Sequence, residues 1–232
     1  MKKTMMLLLV VMLSSPALAG AQTSDPSGHW VGSIQIPGRE VAFAIDLART
    51  AAGEMAGAIS VDDADGVPLA SITVAGRSIA FYSRSDQPLT GTLSEDGSRI
   101  SGDATLSGYS LPFNMKRTGD AHLSPPPMSA AVSRELEGTW HGTLQANGLT
   151  LRAMLTLTNQ PGGKAIGRVV SVDEGGLTLP VVVVQRGSRV EFEQKGVPGS
   201  YSGELNAGGT ELTGTFSQRG VSIPLTFTRA AR

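Results

Sequence analysis

Apolar and polar positions alternate along most of this chain. In the stretch REVAFAIDLAR, Val41, Phe43, Ile45 and Leu47 share one side, with Ala42, Ala44 and Asp46 on the other. In LTLRAMLTLT, Leu151, Ala153, Leu155 and Leu157 repeat the arrangement against Arg152, Met154 and Thr156. A period of two is the mark of a strand with one buried face. Turn pairs such as Asp96-Gly97, Asn147-Gly148 and Gly208-Gly209 punctuate these runs at intervals of about 8 to 12 residues, the spacing of an antiparallel meander, sandwich or barrel. No segment leaves room for a crossover helix, so the pattern predicts an all-β protein.

The pattern is also written twice. GHWVGSIQIPG begins at Gly28 and GTWHGTLQANG at Gly138, 110 residues on. GTLSEDGSRISGDATLSGYSLPFNMKR from Gly91 answers GELNAGGTELTGTFSQRGVSIPLTFTR from Gly203 without a gap. This predicts repeats over 27–118 and 137–230, each of about eight strands, with a linker over 119–136. Pro125 to Pro127 predict a stiff extended spacer, and Ser129 is a candidate N-cap for a short helix over Ala130 to Glu137.

An open meander exposes unpaired backbone at both edges, and closing it removes both at once. Two tandem closed barrels are therefore expected, short enough for their own side chains to fill them. In a closed meander the last strand pairs with the first. Arg117 then lies beside Trp30, and Arg229 beside Trp140: an indole stopper under a stacked guanidinium, structural in purpose. In PVVVVQ the run Val181, Val182, Val183 and Val184 is apolar on both faces, so its outer face predicts a covered surface, against the sibling repeat or a partner.

The Gly-x-Trp opening with a closing-strand Arg resembles the lipocalin-type barrel signature. GTWHGTL and SYSGELNAGGTELTGTFSQRGVSIPLTFTR, with their counterparts in the first repeat, are similar to the small β-domain preceding the catalytic domain in some secreted bacterial α/β-hydrolases. Two departures stand out: Phe216 of the second repeat is answered by Ala104 in the first, and no hydrolase domain follows before Arg232. The resemblance implies a β-barrel accessory domain and carries no catalytic residue across.

The first residues qualify this picture. MKKTMMLLLVVMLSSPALAGA, with Lys2 and Lys3 before an apolar run and small residues at its end, has the layout of a secretory signal. Residues 1–21 are read as that signal, cleaved after Ala19 or Ala21, which predicts a periplasmic or secreted protein. The apolar run is too short to span a bilayer, which takes about 20 residues, so no stable membrane anchor is expected. Of 19 basic and 20 acidic residues, two of the basic ones fall in this leader, and 17 remain beyond it for a net charge of −3. The signs are interspersed without a basic stripe, which argues against nucleic-acid binding. There is no Cys.

Candidate chemistry is sparse. Gly-x-Ser-x-Gly and His-Glu-x-x-His do not occur, and the three His (His29, His122 and His141) are scattered in sequence. The acidic stretch VDDADG, with Asp62, Asp63 and Asp65, lacks calcium-loop spacing and predicts a polar hairpin. Tyr82, Tyr109 and Tyr201 are the aromatics most open to exposure. The residues thus predict an exported, non-catalytic binding or interaction module with no cofactor and no metal site. Two other readings stand beside it: a carrier of a small apolar ligand in a barrel cavity, and an accessory subunit to a secreted hydrolase partner.

Overall fold

The computed structural model describes residues 25–146 and 148–231, so the leader expected over 1–21 lies outside the described residues. The first repeat contributes β1 (Gly28–Ile36), β2 (Arg39–Arg49), β3 (Met55–Val61), β4 (Ala64–Pro68), β5 (Ser71–Ala75), β6 (Ser78–Tyr82), β7 (Leu89–Leu93), β8 (Arg99–Leu106) and β9 (Tyr109–Gly119). The linker carries β10 (Ser129–Ala130). The second repeat contributes β11 (Gly138–Ala146), β12 (Leu149–Gln160), β13 (Lys164–Ser171), β14 (Leu177–Arg186), β15 (Arg189–Gln194), β16 (Ser200–Leu205), β17 (Glu211–Gln218) and β18 (Val221–Arg229). Every pairing is antiparallel, and no helix occurs among the described residues.

The second repeat closes. Its sheet runs β13-β12-β11-β18-β17-β16-β15-β14, and β14 pairs back onto β13 to complete an eight-stranded barrel. The first half of β14 holds β13 through Leu177 to Val181, and its second half holds β15 through Val181 to Arg186. One unbroken strand therefore serves both neighbours.

In the first repeat the sheet is instead curled and open, in the order β4-β3-β2-β1-β9-β8-β7-β6-β5, which corrects the expectation of two closed barrels. The cause is local. The β-branched run of β14 is answered here by ADGVPLASITVA, which breaks at Leu69 and Ala70 into β4 and β5. The Leu69 N–H donates to Gly57 O on the β3 side at 2.9 Å, and the Ala70 N–H to Tyr82 O on the β6 side at 2.7 Å. The small Ala70 and Ser71 stand where β14 has the stiff Val181 and Val182, and the ladder lapses where β14 would carry it across.

The linker departs from expectation as well. The helix read over Ala130 to Glu137 is absent because Ser129 and Ala130 are taken into the sheet. They pair with Ala165 and Lys164 at the start of β13, the stretch that β14 does not reach. The Ser129 hydroxyl also accepts the Val183 N–H at 2.7 Å. Only one turn remains, with the Glu137 N–H donating to Ser133 O at 2.9 Å. Val132 and Leu136 are buried in the second barrel's core, so residues 129–137 are built into that unit.

Each repeat has its own core. In the first, Phe113 meets Phe43 and Phe81 edge-on at 6.1 and 6.5 Å between ring centres. In the second, Tyr201 stacks on Phe192 at 4.9 Å and meets Phe227 edge-on at 5.5 Å. The repeats touch where the β3–β4 hairpin and the β6–β7 loop reach the second barrel. Arg219 grips Asp63 with Nη2 at 2.8 Å from Oδ1, the Asp65 N–H donates to Gly196 O at 2.7 Å, and the Ser85 N–H to Gly175 O at 2.8 Å. Val67 of β4 is buried in the second repeat's core cluster.

Candidate functional site

Each Gly-x-Trp stretch builds one end of its own unit. Trp30 pairs in register with Arg117, and Trp140 with Arg229. The guanidinium carbons sit 4.7 and 4.4 Å from the ring centres, over indoles that are fully buried. Each indole N–H donates to a carbonyl just upstream, Pro26 O for Trp30 and Leu136 O for Trp140, both at 2.9 Å. Each Arg ties down the same upstream segment, Arg117 through Asp25 O at 2.8 Å and Arg229 through Glu137 O at 2.8 Å. The glycine two residues before each Trp is needed for this crossing. Gly138 has φ +131, and a Cβ there would lie 3.0 Å from Arg229 Nη1. In each pair the guanidinium and the upstream segment together cover the indole from solvent.

At the opposite end of the second barrel lies a cavity of about 450 Å³. Leu151, Ala153, Leu179, Phe192, Leu225 and Phe227 are among its apolar walls. The volume falls in the range of small-molecule sites. This overturns the expectation that both barrels pack themselves full. The reason is one position in the register. Ala153 faces Gly142 in the second repeat, where Phe43 faces Gly32 in the first. Phe43 fills its own unit against Phe113, whereas Ala153 leaves that space to the cavity.

The mouth of this cavity is formed by the connections at the far end from Trp140. Leu149, Val172 and Val221 stand exposed there, at 63%, 38% and 60%. Polar groups share the rim. Arg152 Nε lies 3.0 Å from Asp173 Oδ1, an ion pair that lowers the Asp173 carboxyl from its usual value and raises the Arg152 guanidinium. Arg219 is held by Asp63 of the first repeat, whose carboxyl the Arg219 hydrogen bonds keep below its usual value. Gln194 also lines the cavity, and its buried side-chain oxygen accepts no hydrogen bond.

Other sequence candidates fall elsewhere. Val181 and Val183 point into the barrel and are buried, Val182 is half-buried, and Val184 is 41% exposed. β14 is approached by Ser129 of the linker, whose hydroxyl accepts the Val183 N–H, and by β4. Tyr201, counted among the exposable aromatics, is buried, and its hydroxyl lies within hydrogen-bond reach of Leu212 O and Leu225 O at 3.1 and 3.2 Å. Burial pushes that phenol far up from its usual pKa. Tyr109 is exposed and Tyr82 half-buried. His29 and His122 are brought together across Asp46, whose Oδ1 lies 2.9 Å from His29 Nδ1 and accepts the His122 N–H at 2.8 Å. This cluster fastens the start of the linker to the first repeat. Among the described residues no group of three or more His, Cys, Asp or Glu could hold a metal ion. VDDADG forms the β3–β4 hairpin that docks on the second barrel, a contact that local sequence gave no means to find.

No family model and no curated protein matches the chain. Among solved structures, a protein of unknown function of the DUF3598 family from Nostoc punctiforme is similar at 14% identity over 88% of this chain and 96% of its own, with a TM-score of 0.27. A candidate outer membrane protein from Bacteroides fragilis is similar at 12% identity over 91% of this chain and 99% of its own, also at 0.27. Both likenesses are too slight to bear on the site.

Proposed function

We propose that this protein is an exported, non-catalytic carrier that holds a small apolar ligand in the second barrel. The observation that supports this most is the cavity of about 450 Å³ opposite the Trp140 floor. Its walls are mainly aliphatic and aromatic, with a few polar groups at the rim, the composition expected of a small-molecule site. The exposed Val221, on the cavity lining, gives an apolar ligand a route in. The first repeat, filled by its phenylalanines, acts as a scaffold that holds Arg219 and the Gly175 and Gly196 turns from one side.

This reading displaces the sequence-based preference for an interaction module with packed barrels, because the cavity offers a ligand a site that the outer face of β14 does not. Titration of the full chain with Nile red, a neutral apolar dye, tests it. Saturable binding at one dye per chain, with the blue-shifted emission of an enclosed site, is the expected result. A signal that rises without saturation would sink the proposal.

A further inference from the structure

We infer that the first repeat is a lid on the second-barrel cavity, and that a ligand enters or leaves when its grip on the mouth opens; this rests on the reading of the cavity as a ligand site. Every strand of the second barrel is paired on both sides, so passage falls to the connections at the end away from Trp140. Three connections put residues on the cavity lining. Glu174 and Leu177 flank the β13–β14 turn, Val197 lies between β15 and β16, and Arg219 and Val221 stand at the β17–β18 turn.

The first repeat holds all three. Asp63 takes Arg219 in a forked pair, with Nη2 at 2.8 Å from Oδ1 and Nε at 3.1 Å from Oδ2. The Asp65 N–H donates to Gly196 O at 2.7 Å. The Ser85 N–H and hydroxyl both donate to Gly175 O, at 2.8 and 3.1 Å. Gly175 and Gly196 present bare backbone where the first repeat approaches. A Cβ on Gly175 would lie 2.1 Å from Asp86 Oδ1, and one on Gly196 3.2 Å from Val67 Cγ2. Val67, with Ile59 opposite it in the ladder, packs against the second core. Beyond this apolar contact the grip is polar, and its ion pair is exposed on both sides. An exposed pair is weak and screened by salt, so it breaks and re-forms without unfolding either unit. Each unit keeps its own core, and residues 121–128 between them belong to neither sheet, which lets the lid lift as a body.

Stopped-flow mixing of Nile red with a series of excess concentrations of the full chain gives entry and exit rates separately. Asp63→Asn keeps the shape and loses the charge. It should raise both rates by about threefold, the scale of one exposed ion pair, because a loosened lid speeds traffic in both directions. A reversible lock is available as well, since the chain has no Cys. A Cβ on Gly175 would lie 2.9 Å from Asp86 Cγ, within disulfide reach. In oxidised Asp86→Cys/Gly175→Cys, with the cross-link confirmed by mass, both rates should fall severalfold and recover on reduction. Wild-type rates in a cooperatively folded Asp63→Asn would overturn the inference, as would a cross-linked protein that exchanges dye as fast as its reduced form. Faster exit with unchanged entry would overturn it too, since that marks a weakened pocket and not a lifted lid. Saturable binding by the wild type leaves the carrier reading standing in each of these cases. Dye that never saturates the wild type removes that reading, and this inference with it.

Discussion

At the scale of single residues, the two Trp–Arg pairs hold the largest fully buried side chains among the described residues. Both indoles are fully buried and satisfied by an upstream carbonyl. Trp140→Ala should destabilise the second unit by about 3–5 kcal/mol, as large aromatic truncations do, measured by chemical denaturation. Native tryptophan emission should be blue and resist iodide, since the chain's two Trp are both enclosed. Gly138→Ala should cost about 1–3 kcal/mol, because it forces a side chain into a left-handed φ beside Arg229. The Trp–Arg juxtaposition was legible in sequence because closing a meander pairs its last strand with its first. The burial of Tyr201 was not, because it depends on Phe192 and Phe227 meeting it across the barrel. The contrast of Phe43 with Ala153 was visible as letters. That it opens a cavity follows only once the register sets each opposite its glycine.

At the scale of elements, alternation identifies strands well and their continuity poorly. The run of valines in β14 reads as one strand and is one, holding two neighbours in turn. Its counterpart in the first repeat breaks into β4 and β5, because the small Ala70 and Ser71 give no stiff continuation where β14 has Val181 and Val182. Capping signals at Ser129 suggested a helix, yet pairing with β13 claimed its backbone first. Tertiary pairing outweighed local preference there. Ser129→Ala should accordingly cost about 1–3 kcal/mol, since the buried Val183 N–H would lose its acceptor. A denaturation midpoint unchanged from wild type would mean that β10 contributes nothing to the barrel wall.

At the scale of the whole molecule, the second repeat holds a cavity where the first packs Phe43 on Phe113, and the two are joined by an exposed ion pair beside the mouth. Asp63 is held below the usual carboxylate value of 3.8 by Arg219, so what the pair contributes is present above that value and fades as pH falls below it. Asp63→Asn should therefore lower the thermal midpoint slightly near neutral pH, with the gap to wild type closing in strong acid and at high salt. Asp96, lowered to about 2 by the Ser94 and Ser98 hydrogen bonds, adds an acid-sensitive turn in the first repeat across the interval from 3.8 to about 2. The central claim is that Ala153 gives the second barrel a ligand-sized cavity that the first repeat, with Phe43, does not keep. Its most direct test is a paired Nile red titration of the wild type and Ala153→Phe, with thermal unfolding of each as the control for folding. The account predicts saturable binding by the wild type, and at least a tenfold weaker affinity, about 1.4 kcal/mol, in a variant that still unfolds cooperatively. Equal binding by the two proteins would contradict it, since the dye would then be sitting somewhere other than the barrel.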